Sequence, residues 1–228
     1  IYLVQPNGES QVFSEKEAEA WVHLFVGSAY FFPLIGGIVA DAFGGKYRTI
    51  LSLSLFYCLG HGCLALMGIV GDTRTWLLVG LFLIAVGSGG IKPCVSSHVG
   101  DQFNKLNNHL LNKVFGWFYF SINMGAFFSG MLTPFLLEAT REEGTWGEWI
   151  YPYVSPWVGE KLIDEVIFGP HYAFGLPGVL MGIATLVFWL GRKNFAHIPP
   201  RGVSYFKETF TGDNLLVILR LCSIFAFV

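Results

Sequence analysis

Five stretches of about 20 residues, each almost free of charge, restrict this chain more than any other feature. They run approximately Val22–Ala40, Ile50–Val70, Trp76–Ser97, Val114–Leu137 and Tyr172–Gly191, and a sixth begins near Leu215 and is still running at Val228. A bilayer core needs roughly 20 apolar residues per helix, because in lipid each backbone polar group must be satisfied within its own segment. Composition agrees: only 13% of the 228 residues are charged, against about a quarter in soluble domains. The expected class is all-α, a polytopic membrane protein.

Charge gives the orientation. The segments before the first span, after the second and after the fourth hold Lys16, Arg74, Arg141 and Lys161 against twelve acids. The opposite loops hold Lys46, Arg48, Lys105, Lys113, Arg192, Lys193, Arg201 and Lys207 against Asp41, Asp101, Glu208 and Asp213. The positive-inside rule places the second set in the cytoplasm. No signal-peptide pattern opens the chain. "IYLVQPNGES" reads as the last turn of a helix, so the sequence is expected to be a piece of a larger polytopic protein. Cys58, Cys63, Cys94 and Cys222 lie in or beside apolar spans, which predicts buried thiols, with no disulfide framework and no metal site.

Local signals refine this outline. Ser14 followed by Glu17 is a capping-box pattern that starts the first helix. "GDTRT" forces a tight outer hairpin between the second and third spans. "NKLNNHLLNK" is polar and fits a short interfacial helix. Residues 138–171 are acidic and rich in aromatics, and read as an outer loop with a short amphipathic helix near Gly159–Ile167. Glycines are abundant within the spans, where small residues let helices approach closely.

Chemistry concentrates at a few positions. In "VGSGGIKPCVSSHVGDQF", Lys92 lies about 24 Å of helix from Trp76 and short of the inner surface. A charge at that depth is costly and usually faces a cavity or a partner; the alternative is snorkelling to the inner headgroups. Pro93 deprives the Gly89 carbonyl of its helical donor, so a local bend is expected beside the lysine. The stretch is no phosphate loop, because the required G-x-x-x-x-G-K-[ST] between strand and helix is not present. Asn123 is a mid-span amide, open to an interhelical hydrogen bond or to ligand. Tyr30 serves either packing or an aqueous cavity, His23 sits near the outer boundary, and His61 reads as packing. In "GGIVADAFGGKYRT", Asp41 and Arg48 flank a glycine-permitted turn that suits a cytoplasmic gate. Nothing resembles a nucleophile–base pair, a metal cluster, a cofactor loop or a nucleic-acid site.

These residues carry a resemblance over almost the whole chain. "GGIVADAFGGKYRT" resembles the loop between helices 2 and 3 of the major facilitator superfamily. "GSGGIKPCVSSHVGDQF" and then "FYFSINMGAFFSG" are similar to the two signature stretches of proton-dependent oligopeptide transporters. "YFFPLIGG" and "FWLGRKNFAHIPP" fit the same family. The resemblance implies two six-helix bundles around a central cavity, with this chain holding helices 2 to 6 and the ends of helices 1 and 7. Residues 1–197 would then belong to the N-terminal bundle, 198–214 to a cytoplasmic linker, and 215–228 to the start of the second bundle.

The resemblance also implies roles. Lys92 matches the helix-4 lysine that binds the peptide carboxylate and exchanges it for an internal acid. Tyr30 matches a cavity tyrosine, Asn123 an asparagine at the peptide's amino end or backbone, and His23 a histidine tied to proton handling. The implied function is proton-coupled symport of di- and tripeptides by alternating access, in a plasma or inner membrane, by a monomer driven by the proton gradient without a cofactor. The alternatives are transport of another anion, such as nitrate, and a peptide sensor that does not transport. The family's helix-1 Glu-x-x-Glu-Arg motif and helix-7 acid are not in this sequence, so the chain alone is not expected to transport.

Overall fold

A computed structural model describes residues 13–67, 72–137, 170–212, 214–217 and 220. Five long helices dominate: α1 (Glu15–Val39), α2 (Lys46–Leu66), α3 (Thr73–Gly100), α4 (Leu111–Leu137) and α5 (Pro170–Leu190), followed by the short α6 (Ser204–Thr209). No strand occurs among the described residues. The segments Glu15–Gly44, Lys46–Leu66, Thr73–Gly100 and Ala173–Lys193 are long and apolar enough to cross a membrane. The 27 residues of α4 lie between the 21 and 30 of these segments, and Ser121, Asn123 and Ser129 lie along it.

The helix starts follow from sequence. Ser14 caps α1 with the full reciprocal box, its hydroxyl accepting from the Glu17 N–H while the Glu17 carboxylate accepts from the Ser14 N–H. Asp72 caps α3 by accepting from the Thr75 N–H at 2.9 Å. α1 widens into a π-helical turn, Ala40–Gly44, and ends at Gly45, whose φ of +71° suits glycine best. The expected interfacial helix in "NKLNNHLLNK" is instead a single 3-10 turn, Asn108–Leu110, that runs straight into α4. The last turn of a helix at the N-terminus and the short helix near 159–167 lie outside the described residues, as does most of the segment from Leu215 onward.

α3 is the central helix, with α1 on one side and α2 on another; α2 also packs on α5, and α4 rests against α5. Close approach explains the arrangement. A Cβ on Gly36 would lie 2.4 Å from the Gly90 Cα, so α1 and α3 cross backbone to backbone. A Cβ on Gly87 would lie 2.7 Å from the Tyr57 nitrogen, which seats α2 on the next face of α3. Without water inside a bilayer, such packing is what holds helices together. A cluster of Phe13, Ala18, Leu64, Met67, Leu77 and Ile84 fills the end of the bundle where α2 turns into α3, and Ala40, Ile50 and Cys94 fill the opposite end. The Cys94 thiol, fully buried, donates to the Gly36 carbonyl at 3.4 Å.

Candidate functional site

Two helix faces carry the polar positions. On α1, His23, Tyr30 and Gly37 recur every seven residues and therefore share one stripe, with Asp41 one turn further on. Tyr30 is 79% exposed, far from the buried Gly36 seam. On α3, Lys92 is exposed while Gly90 and Cys94 are buried. Two residues turn a helix by about 200°, so Lys92 points away from the α1 seam that Gly90 forms.

The crossing fixes the register of the two faces. Gly36 and Gly90 lie at one level, so Lys92 stands level with Ile38. Tyr30 is then eight residues toward the outer end, about 12 Å along the axis. A Cβ on Gly37 would lie 4.0 Å from the Pro93 ring, which brings the α1 stripe to the edge of the lysine's face. α3 continues as one helix through Pro93. The Ser96 hydroxyl, one turn further on, donates to the Pro93 carbonyl at 3.2 Å. Lys92 has no ion-pair partner among the described residues.

Asn123 stands apart. It is exposed and its amide donates to the Tyr119 carbonyl of its own helix at 2.8 Å. Gly125, two residues and about 200° further on, lines an open, mostly apolar groove of about 560 Å³ between α2, α3, α4 and α5. Asn123 therefore occupies the opposite face of α4 from that groove. His61 is buried and its Nδ1 lies 2.7 Å from the Phe174 carbonyl, tying α2 to α5 as a packing residue would.

At the end of the bundle where α1 turns into α2, the acid and bases are arranged differently from the simple Asp41–Arg48 clamp. Those two side chains form no ion pair with each other among the described residues. Instead Lys46 Nζ lies 2.8 Å from Asp101 Oδ2, a largely buried pair. Asp41 contributes its backbone, accepting from the Arg201 N–H at 2.9 Å, while the Ala42 carbonyl accepts from the Gly202 N–H at 3.0 Å. Gln102 holds the same strap, its side-chain oxygen accepting from the Ala196 N–H at 2.8 Å. Tyr47 stacks on Phe188 at 5.2 Å and meets His197 at 4.9 Å. Sequence reasoning missed the roles of Asp101, Gln102 and Tyr47. The one available signal was an acid and an amide placed directly after an apolar span.

A sequence model described as the POT family matches residues 47–221, more than half of the chain. The chain belongs to the POT family. This POT chain is 38% identical over 208 residues to peptide transporter family 1 of Drosophila melanogaster, covering 89% of the chain and 24% of the relative. It is 36% identical over 195 residues to solute carrier family 15 member 2 of Homo sapiens, covering 83% and 24%. The POT chain thus spans about a quarter of the length of the curated relatives it matches. Among solved structures it is similar to the POT family transporter PepTSo, with a TM-score of 0.63, 44% identity, and coverage of 83% of this chain and 32% of that one. A structure described as an auto-inhibited POT family peptide transporter gives 0.62 at 43% identity, covering 80% and 30%.

Proposed function

We propose that the full-length protein carrying this chain is a proton-coupled symporter of di- and tripeptides, working by alternating access in a plasma or inner membrane. The relatives described as peptide transporters support the substrate class. The observation that carries the reading is the placement of Lys92: an ammonium within a membrane span, turned away from the buried glycine seam and without an ion-pair partner among the described residues.

A short peptide is a zwitterion with variable side chains. Its carboxylate needs a cation, and Lys92 supplies one. Tyr30, about 12 Å away along the axis, stands at a distance comparable with the roughly 10–11 Å of a fully extended tripeptide. Asn123 would offer its amide to the peptide's amino end or backbone, from a helix face on the opposite side from the groove that Gly125 lines. Coupling follows if a proton neutralises a carboxylate that otherwise pairs with Lys92, freeing the lysine for substrate; His23, at the outer end of the Tyr30 stripe, would assist that proton transfer. Asp41 and Arg48 would belong to the gate at the cytoplasmic end. No cofactor is needed, since the proton gradient drives the cycle, and a monomer suffices.

The test is dipeptide uptake by the full-length protein in liposomes under an inward proton gradient, with counterflow exchange measured without one. Wild type accumulates peptide and Lys92→Ala does not. A wild type indifferent to peptides would remove the substrate assignment. Normal accumulation by Lys92→Ala would remove the lysine from the site and leave snorkelling as its explanation.

A further inference from the structure

Gln102 joins α3 to the chain that leaves α5, a link the transport reading does not use. Its side-chain oxygen accepts from the Ala196 N–H at 2.8 Å, and its side-chain nitrogen donates to the Ala196 carbonyl at 3.5 Å. The amide thus meets both polar groups of one residue's backbone, as a neighbouring strand would. The same nitrogen donates to the His98 carbonyl at 3.0 Å, one helical turn back. An oxygen in its place would face two carbonyls, so the three contacts fix which way the amide points.

The surroundings give this link its importance. α3 and α5 each pack on α2 and face one another across an open, mostly apolar groove of about 340 Å³, with Val95 and Val99 on one side and Met181 and Ala184 on the other. Gln102 and Phe195 line the same groove. The Phe195 ring stacks on Phe188 of α5 at 5.0 Å and meets His98 of α3 edge-on at 5.5 Å, wedged between the ends of the two helices. Further along, the Arg201 and Gly202 N–H groups donate to the Asp41 and Ala42 carbonyls. Residues 194–202 therefore tie α5 to α3 at one point and to the α1–α2 turn at another.

We propose that Gln102 is a positioning residue for transport: by clamping Ala196 it makes α5 and the helix that carries Lys92 shift as one body. The proposal rests on the alternating-access reading. Lys92 lies ten residues back along the chain, about 15 Å along the axis, so Gln102 touches no peptide held there. Its loss leaves peptide affinity intact and slows the conformational step, because the groove gives α3 room to move without α5.

The test compares full-length wild type, Gln102→Leu and Gln102→Glu in three measurements: amide hydrogen exchange over residues 195–203, dipeptide Kd, and the maximal rate of proton-driven dipeptide uptake in liposomes. Leucine removes all three contacts, and protection of the Ala196 amide is expected to fall about tenfold, the effect of roughly one hydrogen bond. Maximal uptake is expected to fall about threefold or more, with Kd within about twofold of wild type. Glutamate keeps an oxygen for the Ala196 N–H and falls between the other two in both protection and rate. The role is overturned if Gln102→Leu transports as fast as wild type or faster, if its Kd rises in step with the lost rate, or if rate does not follow protection across the three proteins. Unchanged protection in Gln102→Leu removes the clamp itself. A wild type without uptake instead overturns the peptide reading on which the role depends.

Discussion

Lys46 Nζ sits 2.8 Å from Asp101 Oδ2, so the first residue of α2 holds the residue that closes α3. The side chains are 19% and 15% exposed, which places the pair between surface and core. Removing one partner leaves the other charge largely buried, a change that costs far more than a surface pair is worth.

Lys46→Met and Asp101→Leu are each expected to destabilise the full-length protein by about 2–3 kcal/mol, somewhat under the cost of breaking a fully buried pair. The double variant is expected to lose much less than the sum, because neither charge is then stranded. Melting temperatures of the four species in one detergent provide the cycle. Strict additivity would show that the pair contributes nothing as a pair.

The α1–α3 crossing makes a sharper contrast. Gly36→Ala puts a methyl group 2.4 Å from backbone that has no room to retreat, whereas Gly182 has nothing within 4 Å of its Cβ position. The first change is expected to destabilise by about 1–3 kcal/mol, the usual range for overpacking. Gly182→Ala is expected to be neutral or slightly stabilising, since alanine is the better helix former. Equal melting temperatures for the two variants would contradict the crossing.

Asp72 gives a pH dependence. The Thr75 backbone N–H at 2.9 Å, and then its hydroxyl at 2.8 Å, hold this carboxyl below its ordinary value. Its folded pKa is depressed, so the cap's contribution is complete above the ordinary carboxylate pKa of about 3.9 and fades as pH falls through the lowered value. Asp72→Ala is expected to melt below wild type at pH 7, with the gap narrowing only in acid below pH 4. A gap that stays constant down to pH 3 would show that the carboxylate's charge is not what caps α3.

Much of this architecture is legible in the residues themselves. Spans of about 20 apolar residues imply helices, and the Ser14–Glu17 box marks where α1 begins. Boundaries were less secure: α1 runs on into a π-helical turn, and α4 begins at Leu111, three residues before its apolar window. At the proposed site, the residue types were readable, but their geometry was not. Lys92 and Tyr30 acquire a mutual distance only from the Gly36–Gly90 crossing, and the pairing of Lys46 with Asp101 joins residues 55 apart in sequence.

The physical reason lies in the solvent. In water, burial selects one apolar face, and a helix's period reveals which side packs. In a bilayer the outer face is apolar as well: Leu24 and Phe31 are more than half exposed on α1. Periodicity therefore does not distinguish the glycine that forms a seam, such as Gly36, from one that faces open space, such as Gly27. Sequence alone determined that the chain is a polytopic membrane protein and which family it belongs to. Tertiary structure decided which faces meet, because close packing of small residues, and not hydrophobicity, chooses partners in lipid.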